Sequence, residues 1–394
     1  MTPKRICMVA YTHYATDPRC RREAEALAAR GDSVDFICLS GKGEPSAETV
    51  EGVRIRRLSI GRYRGDSLWS YFLSYAWFFV AASFVLFTGH LRRKYDVIHV
   101  HTLPDLMVFV SVLPRLMGGR VVLDMHELSP ELWSDKLKKH PDGLSIRLLK
   151  VIERISLSWA DALVLATDPQ AELLLARSGW RKPHYVVMNL PDPSLFRCSS
   201  GGTRSGPEAG AFKIVHHGTL VHRSGVDIAV RALAEIGTEI PEAQLFIYGA
   251  GDFRPAIEQE VRELELQHRV RMSDGMLPLA EIPAAICDAQ VGVTPNRNGE
   301  IMKLALPSKM LEYMALGIPV IVSKTPAVAR YLDDSMVLFF EPGNVSDLAR
   351  CLLKLYREPE VGRALARNAA RFLEGHSWDR EKLKLFSLID SLTT

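Results

Sequence analysis

Four short stretches hold side chains whose type and spacing could do chemistry. In residues 307–320, "PSKMLEYMALGIPV", Glu312 sits where a predicted helix begins, ahead of small residues, a Gly-x-Pro break and the apolar run "VIVS". The positive end of a helix dipole favours a carboxylate there, so Glu312 either tunes the helix or holds a ligand. "VVLDMHELSPELW" ends an apolar strand with Asp124, His126 and Glu127. A histidine beside a carboxylate could do acid–base work; the residues by themselves favour a satisfied, partly buried side chain. "HHGTLVHRSGVD" puts Gly218, Thr219 and Arg223 between a strand and a helix. An Arg there could clamp a phosphate with help from helix amides, and a solvated loop Arg is the plain alternative. "FIYGAGDF" places Gly249 and Gly251 after another strand, where backbone can approach a ligand closely. It falls short of a full G-x-G-x-x-G dinucleotide loop.

The elements that must position these residues alternate. "ICMVAY", "SVDFICL", "VRIRRL", "DVIHVH", "RVVLDM", "ALVLAT" and "HYVVMN" read as strands in the first half, with helical stretches between several of them. The first helix is marked by Asp17 as N-cap, Pro18 at its first position and Gly31 as its stop. After a Gly/Ser-rich link at 198–210 the alternation restarts with "FKIVHHG", "AQLFIYG", "RVRM", "AQVGVTP", "IPVIVS" and "MVLFF". Repeated strand–helix alternation predicts parallel sheets covered by helices, and the restart predicts two such domains. Ligands of open α/β sheets bind beyond the carboxyl ends of the strands, so a cleft between two facing domains is expected.

Composition limits the chemistry. The chain has 394 residues, 47% apolar and 24% charged, enough for sizeable cores, and its net charge of +3 is too small to imply nucleic acid. Six scattered cysteines without a C-x-x-C pair argue against a zinc site or a disulfide framework and favour a reducing compartment. The N-terminal apolar run is too short for a secretory signal, so a cytosolic globular protein is expected. Residues 67–91, "SLWSYFLSYAWFFVAASFVLFTGHL", carry no Asp, Glu, Lys or Arg. Their length could span a bilayer, yet they lie inside the α/β alternation. A half-buried domain helix, a membrane-surface helix with Trp69, Trp77 and Phe79 at the lipid boundary, and a spanning helix all stay open. The sequence has no G-x-x-x-x-G-K-[ST], H-E-x-x-H, G-x-S-x-G or D-x-D. Without the last, protein cations and helix amides would have to neutralise any nucleotide phosphates.

Taken in order, these stretches resemble the retaining glycosyltransferases of family 4 over nearly the whole chain. "TDPRCRREAEALAARGDSV" looks like that family's first turn and helix, and "YDVIHVHTLPD" and "VVLDMHELSPE" like its acceptor-side strands. "HHGTLVHRSGVDIAVRAL" is similar to its phosphate loop, "LFIYGAGD" and "LPSKMLEYMALGIPVIVS" to its sugar and ribose region, and "FSLIDSL" to its terminal helix. The resemblance implies a GT-B fold of two facing Rossmann-like domains: 1–197 for the acceptor and 211–375 for a nucleotide sugar, with 376–394 crossing back. It implies that Glu312 binds the ribose hydroxyls, that Arg223 contacts the diphosphate, and that amides of Ser308, Lys309 and Met310 meet phosphate or sugar. Gly218, Thr219 and Gly251 would line the donor, and His126 would lie near the transferred sugar. His13, Arg19, Arg22, Asp105 and Glu127 would face the acceptor.

The departures are specific. Leu304 stands where the family often has an acid, and Glu300 could replace it only if its loop folds back. Thr219 and Ser224 stand where phosphate cations often sit, with Lys309 a substitute for one. The expected protein is a metal-independent, retaining transferase with no cofactor. It would move sugar from a nucleoside-diphosphate donor to a glycan or polyprenyl-diphosphate-linked acceptor in cell-surface polysaccharide or glycolipid assembly. Peripheral membrane contact would run through 68–91. The alternatives are a nucleotide-sugar 2-epimerase of the same fold and an inactive scaffold protein.

Overall fold

The computed structural model describes residues 2–41, 43–60, 68–137, 140, 143–198 and 212–393; for 68–72 and 137 it describes backbone only. The expected link at 198–210 therefore lies, beyond Cys198, outside the described residues, as does the side chain of Trp69. The chain divides into two compact units, Met1–Asn189 with Asp379–Thr394, and Leu190–Trp378.

The first unit is built on strands β1 (Arg5–Val9), β2 (Ser33–Leu39), β3 (Ala47–Val50), β4 (Val53–Leu58), β5 (Val97–His101), β6 (Arg120–Met125), β7 (Ala162–Leu165) and β8 (His184–Val186). They form one sheet in the order β3-β4-β2-β1-β5-β6-β7-β8. All pairs are parallel except β3–β4. β3, which the sequence pattern does not reveal, is a short edge strand with mixed side chains. It meets β4 through Glu51 and Gly52, both at positive φ, the geometry that tight hairpins favour. The first helix runs Pro18–Ala29; Asp17 caps it by accepting from the Cys20 amide at 3.1 Å, and Gly31 follows at φ 101°.

The long apolar helix Leu68–Arg92 lies along this sheet. Phe78, Ala82 and Leu86, spaced four apart, are buried with Val9, Ile37 and Ile98. Tyr11 packs its ring on Tyr75 and Phe78 and meets the Ser74 hydroxyl at 2.5 Å. Among the described residues this is the one helix long and apolar enough to cross a membrane. Its buried stripe instead belongs to the core of the first unit.

The second unit repeats the plan with β9 (Phe212–His217), β10 (Ala243–Tyr248), β11 (Val270–Met272), β12 (Val291–Thr294), β13 (Val320–Ser323) and β14 (Leu338–Phe340). The order is β11-β10-β9-β12-β13-β14, parallel throughout. β9 is buried at every position, as a strand covered on both faces must be, although Lys213, His216 and His217 are polar.

One expectation is overturned here. Cys198 and Cys287 form a disulfide across 89 residues of sequence. Scattered spacing excludes only local cysteine motifs, because a sheet topology brings remote positions together. The pairing removes the cysteine argument for a reducing compartment.

Candidate functional site

In the second unit the chemistry gathers at the carboxyl end of β9. The helix Ser308–Ala315 carries Lys309 and Glu312, three apart and so on one side of it. Each is held by a histidine of β9. His216 is fully buried; its Nδ1 donates to the Val293 carbonyl at 3.1 Å, which leaves Nε2 to accept from Lys309 Nζ at 3.4 Å. His217 Nε2 donates to Glu312 Oε2 at 2.5 Å, while its Nδ1 meets the Tyr313 hydroxyl at 3.0 Å. That hydroxyl also accepts the His217 amide at 3.1 Å. The Tyr313 ring has its place because Gly292 has no side chain: a Cβ there would lie 2.4 Å from the ring.

This geometry corrects the placement of Glu312. It is the fifth residue of the helix, the first turn contains no acid, and its own carbonyl accepts from Leu316 at 3.2 Å. Pro307 sets the start of the helix, so the dipole explanation fails. His217 fixes one carboxylate oxygen, and the group keeps further acceptor capacity for a ligand.

Electrostatics make the site cationic. Burial lowers the Lys309 ammonium to about 8, opposed by Glu312 and assisted by the nearby charge of Arg223. His216 is pushed well below the ordinary imidazole range by burial and by Lys309, so it is neutral at ordinary pH. Two cations thus share the site with one carboxylate.

The loops around it are shaped by glycine. Gly218, at φ 114°, leaves room for Lys309, whose Cε would lie 3.4 Å from an added Cβ. Cβ atoms on Gly249 and Gly251 would lie 2.0 and 2.1 Å from the carbonyl oxygens of Gly218 and Leu220. The close approach that these two glycines permit is therefore to the chain's own backbone. Thr219 is exposed and Arg223 half-buried. Ser224 bonds the Val221 carbonyl at 2.6 Å and closes the turn locally. Arg297, which sequence reasoning passed over, ties the loop after β12 to this turn. It pairs bidentately with buried Asp227, and its amide donates to the Arg223 carbonyl at 2.9 Å. Glu300 is bound by Lys303 at 2.6 Å, and Leu304 is buried. Met310 is also buried, and its amide bonds the Pro307 carbonyl at 3.2 Å. The expectation of a ligand at that amide is thus corrected, whereas Ser308 opens the helix half-buried.

The first unit holds a second polar cluster at the ends of β5 and β6. His99 and His101, two apart on β5, share a face, and His101 lies opposite Asp124 of β6. Arg19 donates to Asp124 Oδ1 at 2.5 Å and to Glu23 at 3.3 Å; all three are buried. His101 Nδ1 meets His126 Nε2 at 3.1 Å and lies 3.3 Å from Asp124 Oδ2. Burial would raise Asp124, but the Arg19 charge holds it well below the usual carboxylate range. Glu23 is pushed up to about 8 by burial and by Asp124. His126 is lowered to about 3 by burial and by Arg19. It is a neutral imidazole at ordinary pH. Ligand atoms of Glu23, His99, His101 and Asp124 lie within 4.8 Å of one another and could geometrically surround a metal. Arg19 already supplies a positive charge to both carboxylates.

Two acceptor-side expectations are corrected by burial. Arg19 is an internal ion-pair partner, and Asp105 is an interior side chain that accepts from Ser129 Oγ at 2.8 Å and is pushed up to about 6 by desolvation. His13, Arg22, His126 and Glu127 are half-buried; Arg22 donates to Asn189 at 2.9 Å. His99, His101, His216 and His217 were missed. The signals were there: "HVH" puts two imidazoles on one strand face, and "HHG" puts two at a strand end before a glycine turn.

Comparison with known proteins decides the family. Residues 16–191 match the glycosyl transferase 4-like domain, and residues 211–358 match the glycosyl transferases group 1 domain. The chain belongs to the GT-B glycosyltransferases. Among similar glycosyltransferases is a phosphatidylinositol N-acetylglucosaminyltransferase component from Arabidopsis thaliana, 23% identical over 74% of this chain and 63% of its own length. Another is the D-inositol 3-phosphate glycosyltransferase of Kineococcus radiotolerans, 26% identical over 90% and 85%. Sucrose-phosphate synthase from Thermosynechococcus elongatus superposes with a TM-score of 0.81 at 21% identity, covering 99% of each chain. Anabaena Alr3699/HepE in complex with UDP gives 0.72 at 14% identity, covering 98% of this chain and 100% of its own. Both share the fold.

Proposed function

We propose that this GT-B glycosyltransferase is retaining and metal-independent. It transfers a hexosyl group from a nucleoside-diphosphate sugar to a glycan or a polyprenyl-diphosphate-linked acceptor, in cell-surface polysaccharide or glycolipid assembly. The observation that carries this reading is the clamp at β9: Glu312 oriented by His217 for the ribose hydroxyls, with Lys309 and Arg223 beside it for the diphosphate. Preorganised cations facing a leaving group are the kind of term that usually dominates catalysis, and they do here what a metal held by D-x-D would otherwise do. His126, neutral and anchored by His101, is a hydrogen-bonding group that adds no charge, and the family resemblance assigns it to the transferred sugar. We place the enzyme at the cytoplasmic face of a membrane, in contact through 68–91. The Cys198–Cys287 pair is the feature that speaks for an oxidising side.

Thermal-shift screening against a panel of nucleotide sugars tests the donor class, since ligand at about 100 times its dissociation constant adds roughly 2.7 kcal/mol. NMR of the product anomer then tests stereochemistry. A product of opposite anomeric configuration to the donor would overturn the retaining assignment. A second reading, an inactive scaffold protein, draws on the buried Leu304 and on Glu300 being paired with Lys303. Donor hydrolysis in the absence of acceptor would exclude it.

A further inference from the structure

We infer that the helix Leu144–Trp159 and the chain at 105–117 extend the apolar face of Leu68–Arg92 into a two-helix surface that seats this unit on an anionic bilayer. The inference rests on the membrane contact proposed above, and adds a second element and a lipid class.

On the first helix the residues turned away from the sheet form their own stripe. Leu73, Trp77, Val80, Phe84 and Leu91 are exposed, Trp77 by 64% and Phe84 by 67%. On Leu144–Trp159 the exposed residues Leu144, Leu148, Val151 and Ile155 recur four, three and four apart, Leu148 by 60%. Helical periodicity puts them on one side, while Ile146 and Leu157 are buried. The two helices are not separate patches. The segment Asp105–Ser111 packs against both of them. Val112–Leu116 then packs on the first helix, with Leu116 exposed by 74%. Arg115 stacks over Trp159, whose indole donates to Ser111 at 3.1 Å. Exposed apolar patches of this extent mark interaction surfaces.

Charge decides the occupant. Arg147 and Arg154 are exposed among the apolar residues of the second helix, with half-buried Lys150 between them. Arg92, Arg93 and Lys94 are exposed at the end of the first. Within 73–94, 105–117 and 144–159 the only acids are Asp105 and Glu153, and both are buried. A cationic rim around apolar side chains fits phosphate headgroups above acyl chains, because long basic side chains can keep their charge at the headgroups while their stems lie on apolar surface. A second copy of this chain would oppose cations to cations. A spanning role would strip Phe78, Ala82 and Leu86 from the sheet.

The test is co-sedimentation of the full chain with vesicles of phosphatidylglycerol and phosphatidylcholine, and with phosphatidylcholine alone. Wild type is expected to bind the anionic vesicles and to bind the neutral ones more weakly. Leu148→Glu with Val151→Glu, and separately Arg147→Glu with Arg154→Glu, should each weaken anionic-vesicle binding by roughly tenfold or more. Leu383→Glu, on an exposed site of the terminal helix, should bind as wild type and report on general surface effects. Circular dichroism melting of each variant separates lost binding from lost fold. If Trp77→Glu loses binding while both second-helix pairs keep it, the contact is confined to 68–91 and the two-helix surface is wrong. If wild type binds neither vesicle, the membrane reading falls with it. If wild type instead self-associates with rising concentration and ignores vesicles, a second copy covers the face.

Discussion

The two polar clusters of this chain are made from similar residues and do opposite things. At β5 and β6, Arg19, Glu23, His99, His101 and Asp124 are all buried, and the charges cancel among themselves. At β9, Lys309, Arg223 and Glu312 are half-buried and leave an excess of positive charge. A buried charge must be matched from within the protein, because desolvation is expensive. A half-buried excess can wait for a ligand to match it. Degree of closure, more than residue type, separates a structural network from the proposed donor site here.

The sharpest break of this comparison is Asp124→Asn. Arg19 would be left as a buried cation without its main partner, so a loss of about 3–5 kcal/mol of stability is expected. Denaturant midpoints measure it; a loss below about 1 kcal/mol would mean the cluster is wetter than its burial indicates. Glu312→Gln should act on binding instead. Two ribose hydroxyls on one carboxylate are worth about 2–4 kcal/mol together, allowing for non-additivity, or roughly 30- to 1,000-fold in donor affinity, with the melting temperature little changed. Unchanged affinity by calorimetry would remove Glu312 from the donor site.

His126 stands at the opening of the first cluster and sharpens the contrast. Replacement by Ala should lower turnover by about tenfold to a hundredfold while donor affinity hardly moves, as for a contact made near the reacting centre. Wild-type turnover would assign His126 to the structural network. Lys309 gives a pH signature. With its ammonium near 8, nucleoside-diphosphate affinity should fall about tenfold between about pH 7 and about pH 9 as the lysine loses its charge. Lys309→Arg should flatten that profile. Last, excess chelator should leave turnover unchanged, and restoration by magnesium or manganese after loss would overturn metal independence.

Strand alternation alone made the two-sheet fold legible, because buried parallel strands leave continuous apolar runs. The proposed donor site was legible in part. Glu312 could be assigned a role by resemblance, but its position in the helix and its His217 partner needed the fold, since nothing local in "LEY" points to a strand 95 residues earlier. Arg19 and Asp105 were misread for one reason: charge suggests surface, and a sequence does not display the partner that makes burial affordable. The Cys198–Cys287 bond is the same kind of long-range fact.

Gly249 and Gly251 carry a consequence for anyone reshaping this enzyme. A saturation library judged by ligand contact would treat both as open positions for new donor specificity. Any side chain there would first push against the Gly218–Leu220 carbonyls and move the loop that shelters Lys309. Variants at these positions should then lose activity toward every donor alike, so productive diversity has to be sought on the exposed side of that loop, at Thr219.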